Sequence, residues 1–94
     1  MAMPADDKAS IENAMQTMRN AIREVNGTAI EMCLGWIEGG LTRLRIEDKE
    51  IEDAMHQIEY RAHWIDDRYK KELPEKFLIL EKLLIKKFGI KPSK

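Results

Sequence analysis

The chain is poor in cysteine, proline and glycine, and it contains no long apolar run. It has one cysteine, three prolines and five glycines among 94 residues. A single cysteine excludes a disulfide within the chain, and the polar start of the sequence does not resemble a secretion signal. The longest apolar run is four residues, 77–80, whereas a membrane helix needs about 20. We therefore expect a cytoplasmic protein that does not contact a membrane.

What the sequence does contain favours helix throughout. Its composition is 44% hydrophobic and 35% charged, with many Glu, Lys, Leu, Met and Ala residues, which favour helix, and little β-branched alternation. The length is that of one domain. We therefore predict an all-α fold in which residues 1–94 form a single helical domain. Residues 1–6 are expected to be a frayed arm and residues 89–94 a short tail.

The first half of the chain repeats its apolar residues every three or four positions, as one face of a helix does. Gly27 could end this helix, and Thr28 with Glu31 resembles a capping box for a new one. The apolar stripe nevertheless continues in phase beyond Gly27, so we slightly favour a continuous or gently kinked helix, with a stop at Gly39 and Gly40. The stripe consists of Ile11, Met15, Met18, Ile22, Val25, Ala29, Met32 and Trp36.

The second half predicts two further helices, over residues 47–72 and 74–88. Pro74 separates them, because the residue before a proline avoids the α conformation and proline suits the first turn of a helix. Gly89 is expected to cap the last helix in the left-handed conformation, with Ile90 as the hydrophobic residue that follows the cap. The expected architecture is an antiparallel bundle of three to four helices per chain, completed by dimerisation.

The helix over 47–72 is predicted to have two apolar faces. At 100° per residue, Tyr60 and Trp64 fall about 180° and 220° from the stripe that begins at Ile51. One interpretation is that neighbouring helices of the same chain cover both faces. The other is that Tyr60 and Trp64 stay exposed until a partner covers them, since aromatic residues are enriched among interface anchors.

Two segments are apolar almost all round. Seven of the nine residues 29–37 and eight of the twelve residues 77–88 are apolar, and a small monomer with one-sided helices cannot easily bury both. We therefore expect a homodimer that also binds another protein. The predicted partner-binding residues are Tyr60, Trp64, Phe77 and Leu78.

Catalytic chemistry has little support in the sequence. We find no catalytic or cofactor motif, and Cys33 lies in an apolar segment with no histidine nearby in sequence, so we expect a buried, inert thiol. A metal site is an alternative, because four possible ligands share one edge of the third helix, although their order differs from the usual Glu-x-x-His pattern. Those residues are Glu52, His56, Glu59 and His63.

Charge is divided along the chain and supports a second alternative. Residues 1–67 carry 14 acidic and 7 basic side chains, whereas residues 68–94 carry 3 acidic and 9 basic ones. A basic segment can contact nucleic-acid phosphates, although lysine predominates here and no recognition motif accompanies it. The sequence therefore favours a small non-enzymatic regulator or inhibitor that binds protein, with a nucleic-acid-associated or metal-dependent protein as alternatives.

Overall fold

The computed structural model describes residues 5–91, which form four α-helices with no strand among them. The helices are α1 (Ala5–Arg23), α2 (Gly27–Arg43), α3 (Lys49–His63) and α4 (Asp67–Phe88). The predicted all-α fold is confirmed. No helix in the described part of the chain is long and apolar enough to cross a membrane.

Each helix contacts two others around one apolar core. α1 packs mainly on α2 and α3 mainly on α4, while α2–α3 contacts and smaller α1–α4 contacts join the two pairs. The core residues come from all four helices, so no helix is an appendage. The most deeply buried side chains are Ile11, Met15, Met18, Ile30, Cys33, Ile37, Ile51, Ile58, Leu73, Leu80, Leu84 and Ile90.

The connection between α1 and α2 corrects the prediction of a continuous helix. The helix stops at Arg23, Val25 takes a positive φ of 55°, and Asn26 caps α2 by accepting a hydrogen bond from the Ala29 N–H at 3.1 Å. Gly27 is required by packing, because a Cβ here would lie 2.5 Å from the carbonyl oxygen of Ala62. The apolar spacing thus continues in the sequence although the helix itself is broken, and Val25 lies in the connection, 41% exposed.

The glycine pair at 39–40 does not end a helix, contrary to prediction. α2 continues through both glycines to Arg43. A Cβ on Gly40 would lie 2.6 Å from Cγ1 of Ile11, so glycine at this position lets α1 and α2 approach closely. The pattern that resembled a stop signal is a packing requirement.

The predicted helix over 47–72 is in fact two helices. Its start is confirmed, because Asp48 caps α3 by accepting from the Ile51 N–H at 3.1 Å. α3 ends at His63, and Asp66 then caps α4 by accepting from the Tyr69 N–H at 2.8 Å. Pro74 lies within α4 and does not begin it. The division comes from the cap at Asp66, and the proline is accommodated on an exposed side of the helix.

The C-terminal end of α4 is as predicted. Gly89 adopts a left-handed conformation with φ 65° and donates its N–H to the Ile85 carbonyl at 2.9 Å. The Ile90 N–H donates to the Leu84 carbonyl at 3.1 Å, and the Ile90 side chain is fully buried. The predicted tail thus begins with an anchored residue, while residues 92–94 lie outside the described chain.

The predicted N-terminal arm is only partly within the described residues. Residues 1–4 lie outside them, whereas the backbone of Ala5 and Asp6 already belongs to α1. The first turn of α1 is tied to the end of α2, because the Arg43 Nε donates to Asp7 Oδ1 at 2.7 Å.

Candidate partner-binding surface

The junction between α3 and α4 places aromatic side chains on the outside of the bundle. Trp64 caps α3 with φ −106° and ψ 42°, and its N–H donates to the Tyr60 carbonyl at 3.2 Å. The chain then turns within two residues to the Asp66 cap. Tyr60 is 54% exposed and Trp64 61% exposed, as the partner-surface interpretation expects.

The aromatic rings pair in a way that the sequence did not suggest. Tyr60 meets Tyr69 of α4 edge to face, with ring centroids 5.5 Å apart, and their hydroxyl oxygens share a hydrogen bond at 3.4 Å. Trp64 meets His63 edge to face at 4.8 Å. Tyr60 and Trp64 were expected on one face of a single helix, but helix α3 ends between them. We call Tyr60, His63, Trp64 and Tyr69 the aromatic surface.

Two arginines border the aromatic surface. The guanidinium of Arg68 lies over the Tyr69 ring at 4.4 Å and that of Arg61 at 5.8 Å, both within cation–π range. Arg61 is fixed in place, because its Nε donates to Glu72 Oε1 at 2.8 Å. The pKa of Tyr60 is raised, first by the hydrogen bond with Tyr69 and then by repulsion from a second phenolate. Tyr60 therefore keeps its hydroxyl proton at neutral pH.

A further contact ties the aromatic surface to α2. His63 Nδ1 lies 3.4 Å from Glu31 Oε1, and this ion pair exists only when the imidazole is protonated. The aromatic surface, formed by residues of α3 and α4 and the junction between them, thus also contacts α2. It combines half-exposed apolar rings with hydroxyl, imidazole and guanidinium groups, which can contact a protein surface through both apolar and polar interactions.

The other two predicted partner residues lie elsewhere. Phe77 is 5% exposed and belongs to the core, with the Arg19 guanidinium 5.9 Å from its ring centroid. Phe77 is not available to a partner in this protomer, because its ring faces α1. Leu78 is 47% exposed, with Ile85 two turns further along α4 and 39% exposed.

The predicted metal edge is a row of exposed side chains. Glu52, His56 and Glu59 border the groove between α2 and α3, while His63 faces Glu31. Within residues 5–91, no three His, Cys, Asp or Glu side chains converge as metal ligands would.

Cys33 is buried as predicted, with 1% exposure, and burial raises the pKa of its thiol. A raised pKa leaves less of the reactive thiolate at neutral pH.

Part of the positive charge in the second half is locally neutralised. Lys87 Nζ lies 2.8 Å from Asp48 Oδ2 and 2.7 Å from Glu50 Oε1, and Lys70 Nζ lies 3.1 Å from Asp67 Oδ1. These pairs reduce the charge that a phosphate backbone would encounter on α4.

Sequence reasoning missed two exposed side chains, one aromatic member of the surface and the two arginines that border it. Met32 and Trp36 were expected in the core but are each 52% exposed. Tyr69 follows the Ile51 stripe in helical phase, which favours the core, and no sequence pattern places Arg61 and Arg68 beside the aromatic rings. The signal present in the sequence was Asp66, a good helix cap two residues after Trp64. A new helix that begins at this cap places Tyr69 on the side of Tyr60.

Comparison of the chain with models of protein families, with curated proteins and with solved structures finds no match. Its function is therefore inferred from its own side chains.

Proposed function

We propose that the protein is a small, non-enzymatic interaction module of the cytoplasm, a regulator or inhibitor that binds another protein and also a copy of itself. The observation that carries the proposal is the exposure of Tyr60 and Trp64, at 54% and 61%, in a fold that fixes both through other contacts.

The aromatic surface has the composition of an interface anchor. Tryptophan, tyrosine and arginine are the residues most enriched among those that dominate binding energy, and here Trp64, Tyr60 and Arg68 lie at one junction. Burying exposed aromatic rings against a partner removes apolar surface from water and so lowers the free energy of the complex. The ring pairs hold Tyr60 and Trp64 in defined positions, which reduces the entropy lost on binding.

Self-association is supported by the two segments that are apolar all round. Met32 and Trp36 in the first, and Leu78, Ile79 and Ile85 in the second, are between 39% and 52% exposed. An antiparallel bundle is the arrangement we propose within each protomer. Contacts between the start of one helix and the end of the next support it, namely Asp7 with Arg43 and Asp48 with Lys87.

The test is affinity capture from the cells that make the protein, with wild type, Trp64→Ala and a matched surface variant, Lys82→Ala. We expect a specific partner to bind wild type and Lys82→Ala and to be lost with Trp64→Ala, because truncating an anchor typically weakens binding by about 2 kcal/mol or more. Circular dichroism checks that Trp64→Ala remains folded. A partner that binds all three equally would contradict the assignment of the aromatic surface.

A further inference from the structure

Four glycines lie within α2, and the protomer requires only two of them. Gly27 and Gly40 are needed for close packing, as described above. A Cβ on Gly35 would meet nothing else in the described chain within 4 Å, and one on Gly39 would meet only Nη1 of Arg43, at 3.3 Å. Glycine inside a helix is less stable than alanine, so Gly35 and Gly39 weaken α2 without serving the protomer.

These two glycines share a face with the two exposed apolar residues of α2. Met32, Gly35, Trp36 and Gly39 are spaced at i, i+3, i+4 and i+7, which places them in one stripe. We call these four residues the α2 face. Two large side chains, each 52% exposed, thus alternate with two positions that have no side chain. The glycines lie in a groove that Ala14 and Thr17 of α1 complete.

We infer that the α2 face is the site where a second copy of the chain docks, with the two α2 helices antiparallel across a two-fold axis between positions 35 and 36. In this register Trp36 lies over Gly35 of the partner subunit, and Met32 lies over Gly39 of the partner subunit. Each contact occurs twice, as the symmetry of a homodimer requires. The inference rests on the self-association proposed above and adds the surface and the register.

Charge favours this face for self-association over the apolar face of α4. None of the four residues of the α2 face is charged. Antiparallel pairing brings Arg43, one turn after Gly39, towards the start of the other α2, where the preceding connection carries the exposed Glu24. On α4, in contrast, the exposed Leu78 and Ile85 are interleaved with Lys82 and Lys86, and a contact there would have to remove these charged side chains from water.

The α1 side of the groove has to contribute to the contact as well as α2. α2 has 17 residues, about 25 Å of helix, whereas a standard interface buries about 800 Å² per partner. α1 packs on α2, and its Ala14 and Thr17 line the same groove as Gly35 and Gly39. Glycine at the crossing lets the helix backbones approach closely, which enlarges the contact around Trp36.

The experiment measures mass by light scattering at about 100 μM for wild type, Gly35→Leu and the exposed control Glu75→Leu. A protomer is 11.0 kDa. We expect wild type and Glu75→Leu to have twice that mass and Gly35→Leu to be a monomer with unchanged helix content. In Gly35→Ala the dissociation constant should rise at least tenfold, yet the monomer should unfold at a higher temperature, because alanine favours helix.

The register is tested by disulfide formation between differently substituted copies. Mixed Met32→Cys and Gly39→Cys chains should cross-link under mild oxidation, whereas either variant alone should cross-link poorly, since identical positions lie about 10 Å apart along the paired helices. The native Cys33 is buried in the protomer and is therefore not expected to compete for the disulfide.

The outcomes separate the inference from the proposed function. A monomeric wild type overturns both self-association and the α2 interface, while leaving the aromatic surface to its own capture experiment. A dimeric Gly35→Leu with no cross-linking in the mixture overturns the α2 interface alone. If Gly35→Leu does not fold, the other two experiments decide. The inference is rejected if Gly35→Ala dimerises as tightly as wild type and the mixed Met32→Cys and Gly39→Cys chains do not cross-link.

Discussion

At the scale of single residues, α4 has a buried position and an exposed position only two residues apart. Leu84 is fully buried, whereas Lys82 is exposed. We expect Leu84→Ala to lower the free energy of unfolding by about 2–5 kcal/mol, through lost burial and the cavity left behind. Lys82→Ala should change it by less than about 0.5 kcal/mol. Urea unfolding followed by circular dichroism measures both, and equal losses would show that the rotation of α4 is wrong.

Residue patterns in the sequence were sufficient to identify the core face of α1 and of α3. The apolar positions of α1 from Ile11 to Ile22, and those of α3 from Ile51 to Ala62, are buried as their spacing predicted. Exposure could not be predicted for Met32 and Trp36. They follow the stripe of α1 in phase, but the turn at Val25 gives α2 its own rotation, and this turn depends on contacts with α3 that are distant in sequence.

At the scale of elements, helix existence was predictable but helix ends were less so. The caps at Asp48 and Gly89 depend on local hydrogen bonds and were found correctly. The glycine pair at 39–40 was misread, because its role depends on Ile11 in another helix. Pro74 was also misread, because a proline can remain inside a helix when the surrounding fold stabilises it. Local rules thus succeed where the determining contact is itself local.

The aromatic surface was predicted in part for the same reason. Tyr60 and Trp64 were identified from their angle to the core stripe, and both are exposed. Phe77 was included because its whole segment is apolar, yet α1 covers it. Tyr69 could be placed only after the Asp66 cap was known, because that cap decides which helix Tyr69 belongs to.

A prediction at this scale concerns the ion pairs that connect the start of α3 to the end of α4. Hydrogen bonds from Lys87 and then from the Ile51 N–H lower the pKa of Asp48, and Asp48 and Glu50 raise the pKa of Lys87. A lowered carboxyl pKa stabilises the fold above the unfolded value of about 3.9, and a raised lysine pKa stabilises it below about 10.4. The Tm of wild type should therefore exceed that of Lys87→Met most clearly at pH values between about 3.9 and 10.4.

The advantage of wild type should decrease as the pH falls through the folded pKa of Asp48, and again as it rises through that of Lys87. Thermal unfolding from pH 2 to 11 measures the difference in Tm, with Lys86→Met as the matched control on the same turn. A difference that does not depend on pH would mean that Lys87 acts by packing and not by charge.

At the scale of the whole molecule, the two tryptophans lie on the two surfaces to which different partners are assigned. Trp36 belongs to the α2 face and Trp64 to the aromatic surface, and both are more than half exposed in the protomer. Each can be observed alone, in Trp64→Phe and Trp36→Phe respectively. Because burial in an apolar contact shifts indole emission to shorter wavelength, the two variants report separately on self-association and on partner binding.

In the Trp64→Phe variant, Trp36 is the emitting residue. We expect its emission to shift to shorter wavelength, and its indole ring to become less accessible to a soluble quencher, as the protein concentration rises from about 1 to 100 μM. A dimer with a micromolar dissociation constant forms over this range. In the Trp36→Phe variant, Trp64 is the emitting residue. Its emission should remain that of an exposed indole over the same concentration range, because dimerisation through α2 leaves Trp64 in water. Adding Gly35→Leu to Trp64→Phe should abolish its concentration dependence. A shift of Trp64 with concentration, while Trp36 remains unchanged, would instead assign the dimer interface to the aromatic surface and remove it from the α2 face.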